Sequence, residues 1–256
     1  MTTPAYLSRT ELLLGSAALE RLRNARVLVL GLGGVGAYAA EMLVRAGVGN
    51  LTIVDGDLVE ESNRNRQLIA LVSTLGRPKS EVLAERLRDI NPECRITPIR
   101  QFIREEKGDE LLEPDYDYVV DAIDSLSPKA YFIAKCVARG LPLISSMGSG
   151  GRLDPLQLRI ADISRTYGCG LARAVRKRLA RLGIRNGVET VFSPEPVPPD
   201  AIRTGLDADG KRRSTTGTIS YLPAVFGCAL ASVVIRRLAG VTGGGRNAEN
   251  PPTDPS

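Results

Sequence analysis

The chain has 256 residues, of which 43% are hydrophobic and 25% are charged, so it can form one sizeable α/β core. It contains no histidine, which excludes every mechanism that needs an imidazole base, and its net charge of +5 favours an anionic partner. It has no apolar run long enough to span a membrane and no basic-then-apolar leader, so we expect a cytoplasmic protein without a membrane segment.

The first 150 residues alternate predicted helices with predicted strands. We predict helices over residues 6–24, from the glycine-rich segment to about residue 46, and over 79–90 and 127–140, with strands over 26–31, 51–55, 95–99, 116–124 and 141–147. In the first helix, we expect one apolar face made by Leu12, Leu13, Leu19 and Leu22. This alternation is typical of an α/β fold, a Rossmann-like doubly wound and mostly parallel sheet.

The pattern changes near residue 150, where a turn-rich segment separates an N-terminal part (1–150) from a smaller C-terminal extension of the same fold (151–240). In this extension we predict a strand within 156–164, a basic helix within 169–185 and a polar loop over 207–217. Residues 219–240 are predicted to start extended and become an apolar helix. The tail, 241–256, is rich in Gly, Pro and Asn and is predicted to be disordered.

A glycine-rich turn stands between the first predicted strand and the next helix. Its glycines are Gly31, Gly33, Gly34 and Gly36. Glycines at this point allow a tight turn and let a phosphate approach the backbone N–H groups at the positive end of the helix. Asp55 ends the next strand about 20 residues later, where a carboxylate accepts hydrogen bonds from a ribose. These features predict an adenosine nucleotide and leave ATP and NAD open.

The following polar segment, SNRNRQ (62–67), favours ATP over NAD. Arg66 could bind two phosphate oxygens in a bidentate manner, and Lys79 could act as a point charge on a triphosphate. Asp124, at the end of a later strand, could hold Mg²⁺ on the phosphates. The alternatives are that Arg66 and Lys79 are surface charges and that Asp124 caps the following helix. Because hydride transfer needs none of these groups, the set predicts ATP and Mg²⁺.

Five motifs together resemble the adenylation domain of ubiquitin-activating-enzyme-like proteins: GLGGVG (31–36), DGD (55–57), SNRNRQ (62–67), GRPK (76–79) and DAIDS (121–125). The resemblance implies that the nucleotide is bound by Gly31, Gly33, Gly34, Gly36, Asp55, Asp57, Asn63 and Gln67. It implies catalytic roles for Arg66, Lys79, Asp124 and Arg9, with Asp124 on Mg²⁺. Arg9, in YLSRTELLLG, matches an arginine that reaches the triphosphate from the second subunit of a homodimer. Its alternative reading is a solvated helix arginine.

The second half of the chain resembles the tRNA threonylcarbamoyladenosine dehydratases. The matching stretches include INPECRI (90–96), GGRLDPLQLRIADIS (150–164), VFSPE (191–195) and GTISYLPAVFG (217–227). The resemblance implies a tRNA substrate whose threonine carboxylate is adenylated by ATP. The carbamoyl group of the same side chain then closes a ring, so no protein nucleophile is needed. A sulfur-relay protein as a further partner stays open.

A basic stretch, LARAVRKRLARLGIR (171–185), contains no acidic residue. It is predicted to bind tRNA through Arg173, Arg176, Lys177, Arg178 and Arg181. The alternative is a solvated helix face. KRR (211–213) could add to this basic surface.

The four cysteines form no CxxC pair, so we expect no zinc site. Cys94, Cys136 and Cys228 lie among apolar residues and are predicted to be in the core. Cys169, between two glycines, is the one plausible exposed thiol. Some members of the resembled family have a cysteine where this chain has Thr190, which argues against a required thiol step.

Three other functions compete with the tRNA dehydratase. A sulfur-carrier or ubiquitin-like protein adenylyltransferase is the runner-up, although the two CxxC pairs usual in sulfur-carrier activators are absent. A nucleotide-binding module without catalysis would not need Arg66, Lys79 and Asp124 together. A Rossmann dehydrogenase would have no use for SNRNRQ.

Overall fold

The computed structural model describes residues 3–103, 108–206 and 212–241. Its helices are α1 (Ser8–Leu14), α2 (Ser16–Asn24), α3 (Gly36–Arg45), α4 (Lys79–Ile90), α5 (Gly108–Leu111), α6 (Leu126–Ala138), α7 (Gly170–Arg181) and α8 (Leu222–Leu238). Its strands are β1 (Arg26–Leu30), β2 (Asn50–Val54), β3 (Arg95–Ile99), β4 (Tyr118–Asp121), β5 (Leu143–Ser146), β6 (Arg159–Asp162), β7 (Glu189–Phe192), β8 (Ile202–Leu206) and β9 (Arg212–Thr216). The predicted tail, apart from Val241, and Lys211 of the KRR segment lie outside the described residues.

Seven strands form one sheet in the order β3-β2-β1-β4-β5-β7-β6. All neighbouring pairs are parallel except β6 and β7, which are antiparallel. The predicted fold class is therefore confirmed. The chain runs outward from β1 to β3 and then returns to place β4 on the other side of β1. This reversal creates a crevice at the carboxyl ends of β1 and β4, the position at which such sheets bind ligands.

Helices cover both faces of the sheet, which explains the continuous apolar run of β1. Val27 and Val29 point to one face and pack with residues of α2, α3, α4 and α8. Leu28 and Leu30 point to the other face and pack with residues of α5, α6 and α7. All four side chains are fully buried, as expected for a central parallel strand. Within the described ranges, no helix is long and apolar enough to cross a membrane.

The prediction of one continuous helix over 6–24 is wrong, because two helices occupy this range. Gly15 has φ +85°, a conformation that L side chains rarely adopt, and it separates α1 from α2. Leu19 and Leu22 of α2 are buried as predicted, but Leu12 and Leu13 of α1 are 89% and 81% exposed. The break turns the apolar side of α1 away from the core.

The C-terminal extension contains strands that the sequence reading missed. β7 was not predicted, yet it joins the main sheet beside β5. β8 and β9 form a separate antiparallel hairpin, so the predicted polar loop over 207–217 is wrong for residues 212–216. The sequence of β9, RRSTT, is polar and lacks the apolar alternation that marks a half-buried strand.

Candidate active site

The glycine-rich turn lies against the end of β4. Gly31 has φ +85°, and a Cβ at this position would lie 2.8 Å from the carbonyl oxygen of Ala122. A Cβ at Gly36 would lie 1.8 Å from the carbonyl oxygen of Gly31, so both glycines are required for packing. A Cβ at Gly33, by contrast, would meet only the side chain of Gln67 at 3.8 Å. The turn therefore packs closely at Gly31 and Gly36, whereas the space next to Gly33 is open.

Asp55 follows β2 at the same edge of the sheet and is 8% exposed. One carboxylate oxygen accepts the backbone N–H of Leu32 at 2.7 Å, and the other accepts that of Asp57 at 2.8 Å. Burial raises the pKa of Asp55, and the nearby Lys79 ammonium partly offsets this. Each oxygen keeps a second lone pair, so the fixed carboxylate can still accept a hydrogen bond from a hydroxyl group of a ligand.

Lys79 is the first residue of α4 and is buried. Its ammonium pairs with the exposed Asp57 carboxylate at 3.0 Å, and its backbone N–H donates to the Asp57 carbonyl. Pro78 precedes it and forms an isolated bridge with Leu58, which holds the two loops together. The structure therefore brings Lys79, Asp57 and Asp55 together at one edge, as an anion site next to a ribose site would require.

The Arg66 guanidinium is held by oxygens that are not carboxylates. Its Nη1 donates to the carbonyl of Ser62 at 3.0 Å and to Oδ1 of Asn65 at 2.9 Å. It pairs with no carboxylate in the part of the chain that the structure describes, and Nε and Nη2 have no acceptor there. The backbone carbonyl of Arg66 lies 3.4 Å from a Cβ placed on Gly34, so this residue borders the glycine-rich turn.

Asn63 and Gln67 are buried on either side of Arg66. Oδ1 of Asn63 accepts the backbone N–H of Glu60 at 3.2 Å, which shapes the turn that carries the arginine. Oε1 of Gln67 is buried with no hydrogen-bond partner among the described residues, and its Nε2 faces Gly33. An unsatisfied buried amide is rare in native proteins and is one mark of a site that awaits a ligand.

Asp124 lies beyond the end of β4 with an exposed side chain. It does not cap the following helix: the N-cap position of α6 is Ser125, and no side chain hydrogen bonds there. Among the described residues, no group of three or more Cys, Asp or Glu side chains could hold a metal ion. A lone carboxylate suits Mg²⁺ that is held mainly by phosphate oxygens and water, so Asp124 fits that role.

The structure also contains a buried ion pair, between Asp121 and Lys129, that the sequence did not predict. The Lys129 ammonium lies 2.8 Å from the Asp121 carboxylate, and both side chains are at most 1% exposed. Asp121 also accepts the hydroxyl of Ser145 at 2.6 Å and the backbone N–H of Ile123 at 3.0 Å. The pair thus fixes the loop between β4 and α6. The two residues are eight positions apart on different elements, so no local sequence pattern predicts the pair.

Arg9 lies outside this arrangement. It is exposed on α1 and makes no hydrogen bond or ion pair with any side chain in the described ranges. The described part of the chain therefore shows no contact that accounts for this arginine. Leu12 and Leu13 lie on the same short helix and are also exposed.

Helix α7 carries the predicted tRNA-binding residues, but they do not share one environment. Ala172, Val175 and Leu179 are buried in the core that α7 shares with α5 and α6. Arg173, Lys177 and Arg181 follow at four-residue spacing on the opposite, exposed face. Arg178 is also exposed and makes contacts of its own.

Arg176 differs from the other basic residues of α7. Its guanidinium donates to the backbone carbonyls of Thr166 at 2.8 Å and of Ile163 at 3.4 Å, and to the Thr166 hydroxyl. These bonds tie α7 to the turn before it. Arg176 therefore has a structural role that its place in a basic run did not reveal.

Two predictions about cysteines are wrong. Cys169 is buried, and its sulfur accepts the backbone N–H of Ala172 at 3.5 Å, so it caps α7. Cys228, predicted to be in the core, is exposed on α8. Cys94 and Cys136 are buried as predicted, and burial raises the pKa of both thiols to about 12. Thr190 is buried and donates to the Ala161 carbonyl across β6 and β7.

Taken together, the mostly parallel sheet, the glycine-rich turn at its switch point and the buried Asp55 carboxylate define an α/β protein of the nucleotide-binding class. Comparison with known families specifies this class further. A model of the ThiF family matches residues 7–253, and the chain belongs to that family.

Close relatives match the chain almost from end to end. The tRNA threonylcarbamoyladenosine dehydratase of Bacillus subtilis (strain 168) is 40% identical over 90% of this chain and 93% of its own length. The Escherichia coli (strain K12) enzyme of the same name is 38% identical over 90% and 91%. The crystal structure of the E. coli tRNA N6-threonylcarbamoyladenosine dehydratase in complex with ATP has a TM-score of 0.83 at 36% identity, covering 92% of this chain and 94% of that one. These matches confirm the resemblance found in the second half of the sequence.

Proposed function

We propose that this protein is an ATP-dependent tRNA threonylcarbamoyladenosine dehydratase. The observation that carries the proposal is at the switch point of the sheet, where Arg66 and Asp124 have no ionic partner among the described residues. Relatives with this activity in their names match both halves of the chain, including the extension in which tRNA would bind. The absence of any CxxC pair counts against a sulfur-carrier adenylyltransferase. We propose that the enzyme acts in the cytoplasm, where its tRNA substrate is found.

The proposed reaction has two steps on one substrate. A threonine carboxylate oxygen of the tRNA modification attacks the α-phosphate of ATP, which forms an acyl-adenylate and releases pyrophosphate. The carbamoyl group of the same modification then attacks the activated carbonyl carbon and displaces AMP. One water is lost from the modification overall, and its oxygen leaves on AMP. The nucleophile is intramolecular, so its effective concentration is high without a protein nucleophile.

The chain's own residues have distinct proposed roles in this reaction. Asp55 receives the ribose hydroxyls, and the glycine-rich turn lets the phosphates approach the start of α3. Asn63, Gln67 and Asp57 shape and line the nucleotide site. Arg66 and Lys79 stabilise the charge that develops on the phosphates. Mg²⁺, held through Asp124, would supply further neutralisation of the triphosphate.

The exposed basic residues of α7 are proposed to bind the tRNA backbone. Arg173, Lys177 and Arg181 point away from the core, and phosphate contacts are made mainly by such Lys and Arg side chains. Arg178 is proposed to add to this surface. Arg176 would contribute mainly by holding α7 in place.

We propose further that the active unit is a two-fold homodimer in which Arg9 of one subunit reaches the phosphates bound by the other. Two observations support this: Arg9 has no partner within the described part of its own chain, and exposed Leu12 and Leu13 lie on the same helix. An exposed apolar patch of this kind could be covered by the same patch of a second subunit in an isologous interface.

The proposed function is tested with purified protein, ATP, Mg²⁺ and tRNA that carries the threonylcarbamoyl group. We expect the loss of one water from the modified adenosine, measured by mass spectrometry of nucleosides, together with release of AMP and pyrophosphate. Arg66→Ala should abolish turnover, while replacement of its exposed neighbour in Arg64→Ala, which removes an ion pair with Glu61, should not. AMP release with a sulfur-carrier protein tail but not with tRNA would instead support the adenylyltransferase. If the protein bound NAD but did not bind ATP, both the dehydratase and the adenylyltransferase would be contradicted.

A further inference from the structure

One segment of the C-terminal extension passes directly beside the nucleotide site. This segment, residues 216–223, connects the β8–β9 hairpin to α8. The carbonyl of Gly217 accepts the backbone N–H of Gly151 at 2.7 Å, and Gly217 N–H donates to Ala201 at 2.8 Å. At its other end, Pro223 lies 3.0 Å from a Cβ placed on Gly34. The segment is therefore anchored both in the extension and at the glycine-rich turn.

Asn65 makes the side-chain link between this segment and Arg66. Its Nδ2 donates to the backbone carbonyl of Thr218 at 2.9 Å. Its Oδ1 accepts Nη1 of Arg66 at 2.9 Å. A carbonyl can only accept and a guanidinium can only donate, so the two partners fix the amide in a single orientation.

The consequence for Arg66 is geometric. The Asn65 oxygen and the Ser62 carbonyl both accept from Nη1, which leaves Nε and Nη2 without a hydrogen-bond acceptor among the described residues. A guanidinium binds phosphate most strongly when two N–H groups are presented together in a fixed plane. Without Asn65, the Ser62 carbonyl would be the one remaining acceptor for the guanidinium among the described residues, and the side chain could rotate about several bonds.

We propose that Asn65 is a positioning residue for ATP, acting through Arg66, and that it ties the phosphate-binding arginine to the C-terminal extension through Thr218. This inference rests on the proposed function, because it assumes that Arg66 binds phosphate. Asn65 does not touch the nucleotide in this account. Its effect on ATP binding must therefore disappear when Arg66 is absent.

A double-mutant cycle tests this dependence. The affinity for ATP with Mg²⁺ is measured by calorimetry, without tRNA, for the parent, Asn65→Ala, Arg66→Ala and the double variant. We expect Arg66→Ala to weaken binding by about tenfold or more and Asn65→Ala by roughly three- to tenfold, with the double variant no weaker than Arg66→Ala. Arg64→Ala is the matched control and should bind ATP as the parent does.

The outcomes are distinguishable. Because Asn65 is exposed, its replacement should leave the thermal midpoint nearly unchanged, whereas a merely structural role would lower it without coupling to Arg66. Parent-like ATP affinity in Asn65→Ala, or losses that multiply in the double variant, would overturn the positioning role while leaving the proposed function intact. If Arg66→Ala itself binds ATP normally, the phosphate role of Arg66 fails and the positioning role fails with it.

Discussion

At the scale of single residues, the ribose-binding role proposed for Asp55 conflicts with stability. Its carboxylate is buried, and burial raises its pKa above the ordinary value for an aspartate. A raised pKa means that the folded state binds the proton more tightly than the unfolded state does. The resulting stabilisation is present at low pH and is lost as the pH rises through the folded-state pKa. The charged form is nonetheless the one that accepts ribose hydroxyls best.

Replacing Asp55 with Asn removes this titration. We expect the thermal midpoint of Asp55→Asn, relative to that of the parent, to shift in favour of the variant as the pH rises from about 4 to 7. The amide also faces two N–H donors with one oxygen, which lowers its stability by an amount independent of pH. The slope of the difference, measured by thermal unfolding across this range, is therefore the test. A difference that does not change with pH would contradict the prediction.

The buried pair of Asp121 and Lys129 leads to a second prediction. Lys129→Met leaves a buried carboxylate without its cation, and we expect it to lower the free energy of unfolding by about 3–5 kcal/mol. The double variant Asp121→Asn/Lys129→Met removes both charges and should recover much of this loss. Denaturant unfolding of the three proteins measures the effect. A loss below about 1 kcal/mol in Lys129→Met would show that the pair is not the main restraint on this loop.

At the scale of elements, α7 carries exposed basic residues, for which tRNA binding is proposed, beside Arg176, which bonds to the turn before the helix. We expect the triple variant Arg173→Gln/Lys177→Gln/Arg181→Gln to bind ATP normally and tRNA more weakly. Its tRNA affinity should also depend less on salt, with the slope of log affinity against log salt flattened by up to about 2–3 units. The counterions that three phosphate contacts would release are then no longer released. Binding measurements over a salt series test this.

Arg176→Gln is the matched control on the same helix. Its guanidinium bonds to the Thr166 and Ile163 carbonyls, so its loss should lower the thermal midpoint and leave the salt slope unchanged. If the triple variant keeps the parent slope, the exposed face of α7 is a solvated surface and tRNA binds elsewhere.

At the scale of the whole molecule, the position of Arg9 predicts a shared active site. Arg9→Ala and Arg66→Ala should each be inactive as homodimers. Re-pairing the two variants should create one intact site in each heterodimer, which is about a quarter of all sites after random exchange. Recovery of about a quarter of the parent activity confirms sharing between subunits. If verified heterodimers show no recovery, Arg9 does not act across the interface.

The sequence alone determined the fold class and the place of the glycine-rich turn and Asp55 at one edge of the sheet. The apolar run of β1, the glycines at 31–36 and Asp55 obey local rules, because a buried parallel strand and a phosphate-binding turn are each specified by neighbouring residues. The motif spacing was sufficient to predict the family to which the chain belongs. Arg66 and Lys79 are found at the predicted edge of the sheet.

Only the tertiary structure decided which similar residues have different roles. Arg176 differs from Arg173, and Cys169 from Cys228, because burial and bonding depend on which side of the chain packs against other elements. The pair of Asp121 and Lys129 and the link from Asn65 to Thr218 join separate elements, and in the second case the partners are 153 positions apart. Contacts of this kind follow from how the chain folds back on itself, so no local pattern of residues encodes them.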